Sequence, residues 1–552
     1  MMKMILSGAQ ILVEELVRHG VETVFGYPGG AVLDIYDELY KNSNRIRHII
    51  TAHEQGAAHA ADGYARVSGR VGVVIATSGP GATNLVTGIA NAYLDSVPLV
   101  AVTGNVAVPL LGRDSFQEVD IVGITQPIVK HSYIVRDVCD LEFILSEAFA
   151  IASEGRRGPV LVDISKTVQK EKCEYRGDCN ILTSVVPQLP DISAALQAIT
   201  KSRKPYIYCG GGVLASGAGE EVLQLSERLS APVGLSMMGL SAIPASYKLN
   251  LGMSGMHGRY AASMAQSEAD LLIAVGVRFS DRATGNIAEY TKNCTVIHID
   301  IDDAELGKNV PSIIDVCGDA KAVVGELLKR LKPFRNEEWI KRVLEFKKNE
   351  DTCENDDFNP QNIIRSVAAF AGADTVVATD VGQHQMWVMQ HYPFEKPGKL
   401  LTSGGLGTMG YGMGAAIGGC VGCDRKRTIL FTGDGSFGMN LNELATAVSQ
   451  KLPLLIILFN NGVLGMVRQW QTMFYNEHYS STTLNRKTDF IKLAEAFGAS
   501  GITVRTMPEL RDVLNSKLPE DGPFLVDCRI DMDEMVFPMI PSGGSVKDMK
   551  IK

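Results

Sequence analysis

Two apolar runs, Thr428–Phe431 and Leu454–Phe459, each lead into a short polar loop: Gly433-Asp434-Gly435-Ser436-Phe437 after the first, Asn460-Asn461-Gly462 after the second. Continuous apolar runs of strand length suit strands buried on both faces, and such strands make parallel sheets covered by helices. The helical segment between the runs supplies the crossover that parallel neighbours require. Asp434 and Asn461 then fall side by side at the C-terminal end of one sheet, where open α/β sheets hold their ligands.

The same alternation divides the chain into three blocks. Residues 1–165 carry runs at Val71–Ala76, Leu99–Thr103 and Val160–Val162, with helical patterns between them such as the alanine-rich Glu54–Arg66. Residues 166–190, rich in charge and proline, read as a linker. In residues 190–335, Pro205–Cys209 precedes Gly210-Gly211-Gly212, Leu271–Val275 precedes Gly276, and Val296–Ile301 contains the acidic Asp300. The charged stretch Lys329–Asp357 reads as a solvated helix and connector. Residues 358–530 add Thr375–Thr379 and Phe524–Asp527 to the two opening runs, and residues 531–552 form a tail. A chain of 552 residues accommodates three such units at roughly 150 residues per domain. The expectation is an α/β protein of three parallel-sheet domains.

Composition narrows the partners. The net charge of −9 carries no long basic block, which argues against nucleic acid and anionic membrane surfaces. No apolar signal or membrane-spanning run stands out, and the ten cysteines are scattered. They read as reduced and structural in a cytoplasmic protein, Cys420 and Cys423 included. The 55 glycines cluster in short motifs, as tight turns and close ligand approach require.

One carboxylate (Asp434), one amide oxygen (Asn461), a backbone carbonyl and phosphate oxygens make the hard oxygen shell that Mg²⁺ prefers. Small residues at Gly433, Gly435 and Ser436 leave backbone N–H groups free to face a pyrophosphate. Either loop alone is unremarkable. Together, at this spacing, they resemble the Gly-Asp-Gly to Asn-Asn motif of the thiamine-diphosphate-dependent enzymes, and the resemblance implies Asp434, Asn461 and the Val463 carbonyl as metal ligands.

The first block extends the resemblance. Gly26-Tyr27-Pro28-Gly29-Gly30, His53-Glu54-Gln55-Gly56-Ala57-Ala58, Asp62-Gly63-Tyr64-Ala65-Arg66 and Ser78-Gly79-Pro80-Gly81-Ala82-Thr83-Asn84 resemble the pyrimidine-binding domain of the acetohydroxyacid synthase and pyruvate oxidase superfamily. Glu54 stands at that family's catalytic glutamate, which exchanges a proton with the aminopyrimidine ring; burial among alanines is expected to raise its pKa. Tyr27, Pro28, Gly29, Pro80 and Asn84 are implied to frame the cofactor. In this family the two cofactor-binding domains meet across subunits, so a homodimer or homotetramer is implied.

Further motifs point to the biosynthetic acetohydroxyacid synthases. Arg113-Asp114-Ser115-Phe116-Gln117-Glu118 resembles their pocket loop, which implies Phe116 and Gln117 as pocket residues, and Lys166 matches a substrate-channel lysine. Gly382-Gln383-His384-Gln385-Met386-Trp387 resembles the stretch that contacts the diphosphate, implying Gln383 and His384; Gly407-Thr408-Met409-Gly410 resembles the run beside the cofactor rings, with Met409, Met466 and Val467 as apolar support. Trp470 matches a tryptophan that favours 2-oxobutanoate as acceptor. Gly210-Gly211-Gly212, Gly255-Met256-His257-Gly258, Gly276-Val277-Arg278-Phe279-Ser280-Asp281-Arg282 and Gly318-Asp319-Ala320 resemble flavin-binding segments. They imply FAD held by these glycines, Met256, His257, Arg278, Arg282, Asp300, Asp319 and Ala320. Departures are Ser280 for a usual aspartate, and Arg157, Ser165 and Gly414 for common prolines. The tail Phe537-Pro538-Met539-Ile540-Pro541-Ser542-Gly543-Gly544 resembles the biosynthetic type, where it closes over the active site.

The resemblance implies a thiamine-diphosphate-dependent transferase. It decarboxylates pyruvate and joins the two-carbon unit to a second pyruvate or to 2-oxobutanoate, towards valine, leucine and isoleucine, with a small regulatory subunit as a further partner. A fermentative acetolactate synthase, a pyruvate oxidase and a noncatalytic nucleotide-binding subunit are the rival readings.

Overall fold

Why three apolar-run blocks become three sheets is visible in the strand pairing of the computed structural model, which describes residues 4–179, 189–311, 313–350 and 356–551. Every pair within the three six-stranded sheets is parallel. The first sheet runs Arg47–Ile50, Thr23–Tyr27, Gly72–Ala76, Leu99–Asn105, Pro159–Ser165, His131–Val135 in spatial order. The third runs Leu400–Leu401, Val376–Thr379, Thr428–Gly433, Leu454–Asn460, Phe524–Arg529, Ser500–Val504. With strands counted along each domain, both have the order 2-1-3-4-6-5, so the first and third domains share one topology. The middle sheet has the order 3-2-1-4-5-6, which is that of dinucleotide-binding domains.

The first and third domains meet through two parallel helices, Glu54–Ser68 and Tyr411–Gly422. Small residues let their backbones touch. A Cβ on Gly418 would stand 1.8 Å from the Ala60 carbonyl oxygen, and one on Gly63 would stand 2.3 Å from that of Ala415. Gly414, read as a replaced proline, faces the Gly56 carbonyl oxygen, where an added Cβ would come within 2.7 Å.

Several segments differ from the sequence reading. The linker begins later than residue 166: Lys166–Lys170 is helical, and Lys172–Tyr175 pairs antiparallel with Met4–Ser7. Residues 180–188 of that stretch lie outside the described residues. The charged stretch near the end of the middle block is no free helix. Glu337–Lys348 buries Trp339, Val343 and Phe346, and the Trp339 indole N–H donates to the Pro205 carbonyl, because its apolar residues share one face despite the surrounding charge. Residues 351–355 of the connector lie outside the described residues. Cys139 and Cys173 form a disulfide with Cα atoms 5.5 Å apart, so the expectation of ten reduced cysteines fails for this pair. The strand Lys172–Tyr175 carries Cys173 back to the turn Val138–Asp140.

Candidate active site

In the first and third sheets the strand order reverses between the first and third strands, the place where open α/β sheets hold their ligands. In the first domain the loops beside it are Tyr27–Gly30 and Thr77–Pro80. Gly29 has no space for a side chain, because a Cβ would stand 2.5 Å from Thr77 Cβ. Gly79, at φ 58°, turns the chain into the short helix Pro80–Asn84 and lies against Gln117, itself at φ 58°. Glu118 shapes that neighbouring loop by accepting from the backbone N–H groups of Gly112, Arg113 and Ser115. Lys166 Nζ donates to the Gly30 carbonyl at 3.2 Å.

Glu54 opens its helix at the same edge, and its Oε2 accepts from Asn84 Nδ2 at 2.9 Å. Its side chain is half-buried, which corrects the expectation of burial among alanines. Ala57, Ala58, Ala60 and Ala61 are fully buried further along the helix, whereas Glu54 occupies the end that opens to the surface. Thus Tyr27, Pro28, Gly29, Glu54, Pro80, Asn84, Gln117 and Lys166 share one edge of the first sheet, and Phe116, 88% exposed, stands at its rim.

In the third domain the order reverses between Val376–Thr379 and Thr428–Gly433. His384 follows the first strand, and a Cβ on Gly433 would stand 2.9 Å from its Nδ1. The ring is buried, its pKa pushed down to about 3 by that burial, and Nε2 has no hydrogen-bond partner. Gln383 is held differently. Its amide nitrogen donates to Glu534 O and Gln469 Oε1, so the buried Oε1 is the unpartnered atom, an acceptor.

Asp434 opens the helix Asp434–Asn440 and accepts from the Gly462 N–H at 3.0 Å, which joins the two loops of the opening motif. Asn461 Oδ1 accepts from the Val463 N–H at 3.2 Å. Burial pushes the Asp434 carboxyl up to about 6, and no cation stands within ion-pair distance of it among the described residues. Ser436 is engaged, accepting from the Gly410 N–H at 3.3 Å, and Met409 lies beside Gly435.

Sequence reasoning missed the residues that hold these loops. Asp380, fully buried, accepts from Gly410 N–H and Thr432 Oγ1. Asp95 of the first domain accepts from the N–H groups of Gly404 and Gly405, just ahead of Gly407 and Met409. Asn91 Oδ1 accepts from the hydroxyls of Ser403 and Thr408. An acid or amide at the end of a helix carries no local signal of such distant partners.

A cleft of about 1300 Å³ opens at the switch point of the middle sheet. Gly210, Gly211, Gly212, Met256, His257, Gly276, Arg278, Arg282, Asp300, Asp319 and Ala320 all line it, and so do Gly407, Met466 and Trp470 from the third domain. The glycines are required first by one another: a Cβ on Gly210 would stand 2.0 Å from the Gly276 carbonyl oxygen. Arg278 enters the cleft with its pKa depressed, mainly by burial and further by Arg156, and no carboxylate lies within ion-pair distance of it among the described residues. Arg282 lies 5.3 Å from the centre of the Trp470 ring and donates to Met256 Sδ, while the Trp470 indole nitrogen is buried and unpartnered.

The tail lies along these walls. Gln469 and Val536 exchange amide and backbone hydrogen bonds, and the Ile540 N–H donates to the Met256 carbonyl. No hydrogen bond joins the predicted cofactor residues of the first domain to those of the third among the described residues.

Comparison with known proteins follows the same three-domain division. Residues 6–124 match the family described as thiamine pyrophosphate enzyme, N-terminal TPP binding domain; residues 192–327 match its central domain and residues 380–528 its C-terminal TPP binding domain. The chain is 42% identical to the acetolactate synthase large subunit of Buchnera aphidicola from Acyrthosiphon pisum, over 99% of both chains. It is 42% identical to the isozyme 3 large subunit of Escherichia coli K12, over 99% of this chain and 98% of the relative. Against the acetolactate synthase large subunit of Lactococcus lactis IL1403 the identity is 44%, over 97% and 95%. Agreement of this extent, through all three domains, makes the chain a member of the thiamine pyrophosphate enzyme family, among the acetolactate synthase large subunits.

Proposed function

We propose that this chain is the catalytic subunit of an acetohydroxyacid synthase. It decarboxylates pyruvate and condenses the two-carbon unit with pyruvate or 2-oxobutanoate, the step that leads to valine, leucine and isoleucine. The observation that carries the reading is the buried Asp434 carboxylate joined to the Asn461 loop, beside the unpartnered His384 Nε2. A carboxylate, an amide oxygen and the Val463 carbonyl form a donor set suited to Mg²⁺, and the His384 imidazole suits a diphosphate oxygen in the tautomer that carries its proton on Nε2. Gln383 offers an acceptor instead, which fits a water or the metal shell better than the diphosphate.

Bound thiamine diphosphate supplies the electron sink for decarboxylation and carbon–carbon bond formation. The residues of the chain do the rest. Asn84 holds one Glu54 oxygen, leaving the other to take and return a proton. Met409 and Met466 support the rings. Phe116, Gln117 and Lys166 border the pocket, and the indole of Trp470 contacts the acceptor side chain.

The middle cleft fits FAD: Arg278, without a carboxylate partner among the described residues, suits a pyrophosphate, and the strand order is that of dinucleotide-binding domains. No redox step is required, so the flavin is structural. A second copy of the chain sets the first-domain residues of one protomer against the third-domain residues of its partner and covers Tyr27, Leu33 and Phe116 on one side and Leu406, Met439 and Val467 on the other, all exposed here. The relatives are named large subunits, which supports a small regulatory subunit as a further partner. No helix among the described residues is long and apolar enough to cross a membrane, and the reading places the enzyme in the cytoplasm.

The test is turnover of pyruvate by the purified chain with thiamine diphosphate and Mg²⁺. Carbon dioxide and 2-acetolactate should form without an electron acceptor. Turnover only with an acceptor would favour a pyruvate oxidase, and no turnover would overturn the assignment.

A further inference from the structure

None of these roles uses Glu443. It closes the turn Leu441–Glu443, directly after the helix that Asp434 begins, and is 0% exposed. Its Oε1 accepts from the His53 backbone N–H at 3.0 Å, and its Oε2 accepts from that of Ala52 at 3.2 Å. The Thr446 hydroxyl donates to Oε2 at 2.6 Å. A buried carboxylate is costly unless its oxygens are hydrogen-bonded, and here the amides ahead of a helix from another domain serve that purpose.

Those two amides immediately precede Glu54. One turn on, a Cβ on Gly56 would stand 2.1 Å from Glu443 Oε1, so the carboxylate presses into the first turn of the Glu54 helix. That helix already has a cap of its own, His53 Nδ1 accepting from the Gln55 N–H at 3.1 Å. Glu443 is therefore not needed to end the helix. It ties the turn carrying Glu54 to the third domain, while Asn84 holds the Glu54 side chain from the first.

We infer that Glu443 is a positioning residue for Glu54, fixing through the Ala52 and His53 amides the place at which the Glu54 carboxylate meets the cofactor. The inference rests on the reading of Glu54 as the proton-exchanging carboxylate. A displacement of about 1 Å at such a group is enough to cost on the order of 100-fold in rate.

The experiment compares Glu443→Gln, Thr446→Val and Glu54→Gln with the unchanged enzyme, each loaded with thiamine diphosphate and Mg²⁺. It reads deuterium exchange at the cofactor C2 position, cofactor Kd, KM for pyruvate and Tm. In Glu443→Gln one acceptor becomes an NH₂ facing a backbone N–H, so exchange and kcat should fall at least about tenfold while Kd and KM hold and Tm drops by only a few degrees. Thr446→Val keeps the carboxylate and its bonds from Ala52 and His53 but removes one of the two donors to Oε2, and exchange should fall about threefold, as for one lost hydrogen bond. This variant decides the matter if Glu443→Gln does not fold. Wild-type exchange in the folded variants, with exchange abolished in Glu54→Gln, overturns the role of Glu443 alone. A fall in exchange matched by equal losses in Kd and Tm marks a merely structural residue and also overturns it. If Glu54→Gln itself keeps its exchange, the reading of Glu54 fails and the inference fails with it.

Discussion

Asp434 and Trp470 sit in loops and helices that follow third-domain strands, yet removing them should have different consequences. Asp434 bridges to the Gly462 loop, so Asp434→Ala should weaken Mg²⁺ and thiamine diphosphate binding together, by tenfold or more, since a charge-assisted contact is worth about 1.5–3 kcal/mol. Titration showing normal metal-dependent cofactor binding would remove it from the site. Trp470 lines the shared cleft under Arg282, so Trp470→Leu should spare decarboxylation and lower the preference for 2-oxobutanoate. One methylene in an apolar pocket is worth about 1–3 kcal/mol, and the variant should forfeit part of that. An unchanged product ratio in the variant would place the indole outside the acceptor pocket. Asp434 and Asn461 were legible because each directly follows a strand whose apolar run announces it. Asp95 and Glu443 were not, because their cross-domain partners lie between 309 and 391 residues away and nothing local distinguishes them from surface acids.

Among the elements, the helix Gly8–Arg18 shows how a sequence without a motif is nonetheless pinned. Its Glu15 is fully buried and accepts from Arg18, from Ser146 on the helix Leu141–Ser153 and from Tyr175 on the strand Lys172–Tyr175. Burial pushes this carboxyl up, but hydrogen bonds from His19, Arg18 and Tyr175 outweigh it and hold the pKa at about 2, below the usual 4.5. A depressed folded-state pKa means stabilisation that is present above about 4.5 and lost as pH falls towards about 2. Tm measured from pH 7 down to pH 2 should therefore fall more steeply below 4.5 in the unchanged chain than in Glu15→Gln. Equal slopes would refute the linkage. The strands that continuous apolar runs mark were readable to within about three residues, as at Pro205–Cys209 and Leu271–Val275, whereas His131–Val135, Val233–Leu235 and Ser500–Val504 went unread. The strand Lys172–Tyr175 was read as linker, since a short edge strand exposing charged residues has no such run.

For the whole molecule, the repeated 2-1-3-4-6-5 order places two matching switch points in one chain, and the middle domain inserts a dinucleotide-type sheet between them. Flavin should accompany the purified protein, and Arg278→Ala should lower its occupancy severalfold without requiring an electron acceptor for turnover, because a charged contact to the pyrophosphate is lost. Full occupancy in that variant would move the flavin away from Arg278. The domain count could be read from the recurrence of glycine loops after apolar runs. The helix pair Glu54–Ser68 and Tyr411–Gly422 could not, because an interface of glycines and alanines has no apolar bulk to advertise it. The most direct test of the central claim is product analysis with pyruvate and 2-oxobutanoate supplied together at several fixed ratios. The account predicts 2-aceto-2-hydroxybutanoate alongside 2-acetolactate, with the first favoured beyond its substrate ratio, and no electron acceptor consumed. Formation of 2-acetolactate alone, or of acetyl products only when an acceptor is present, would contradict it.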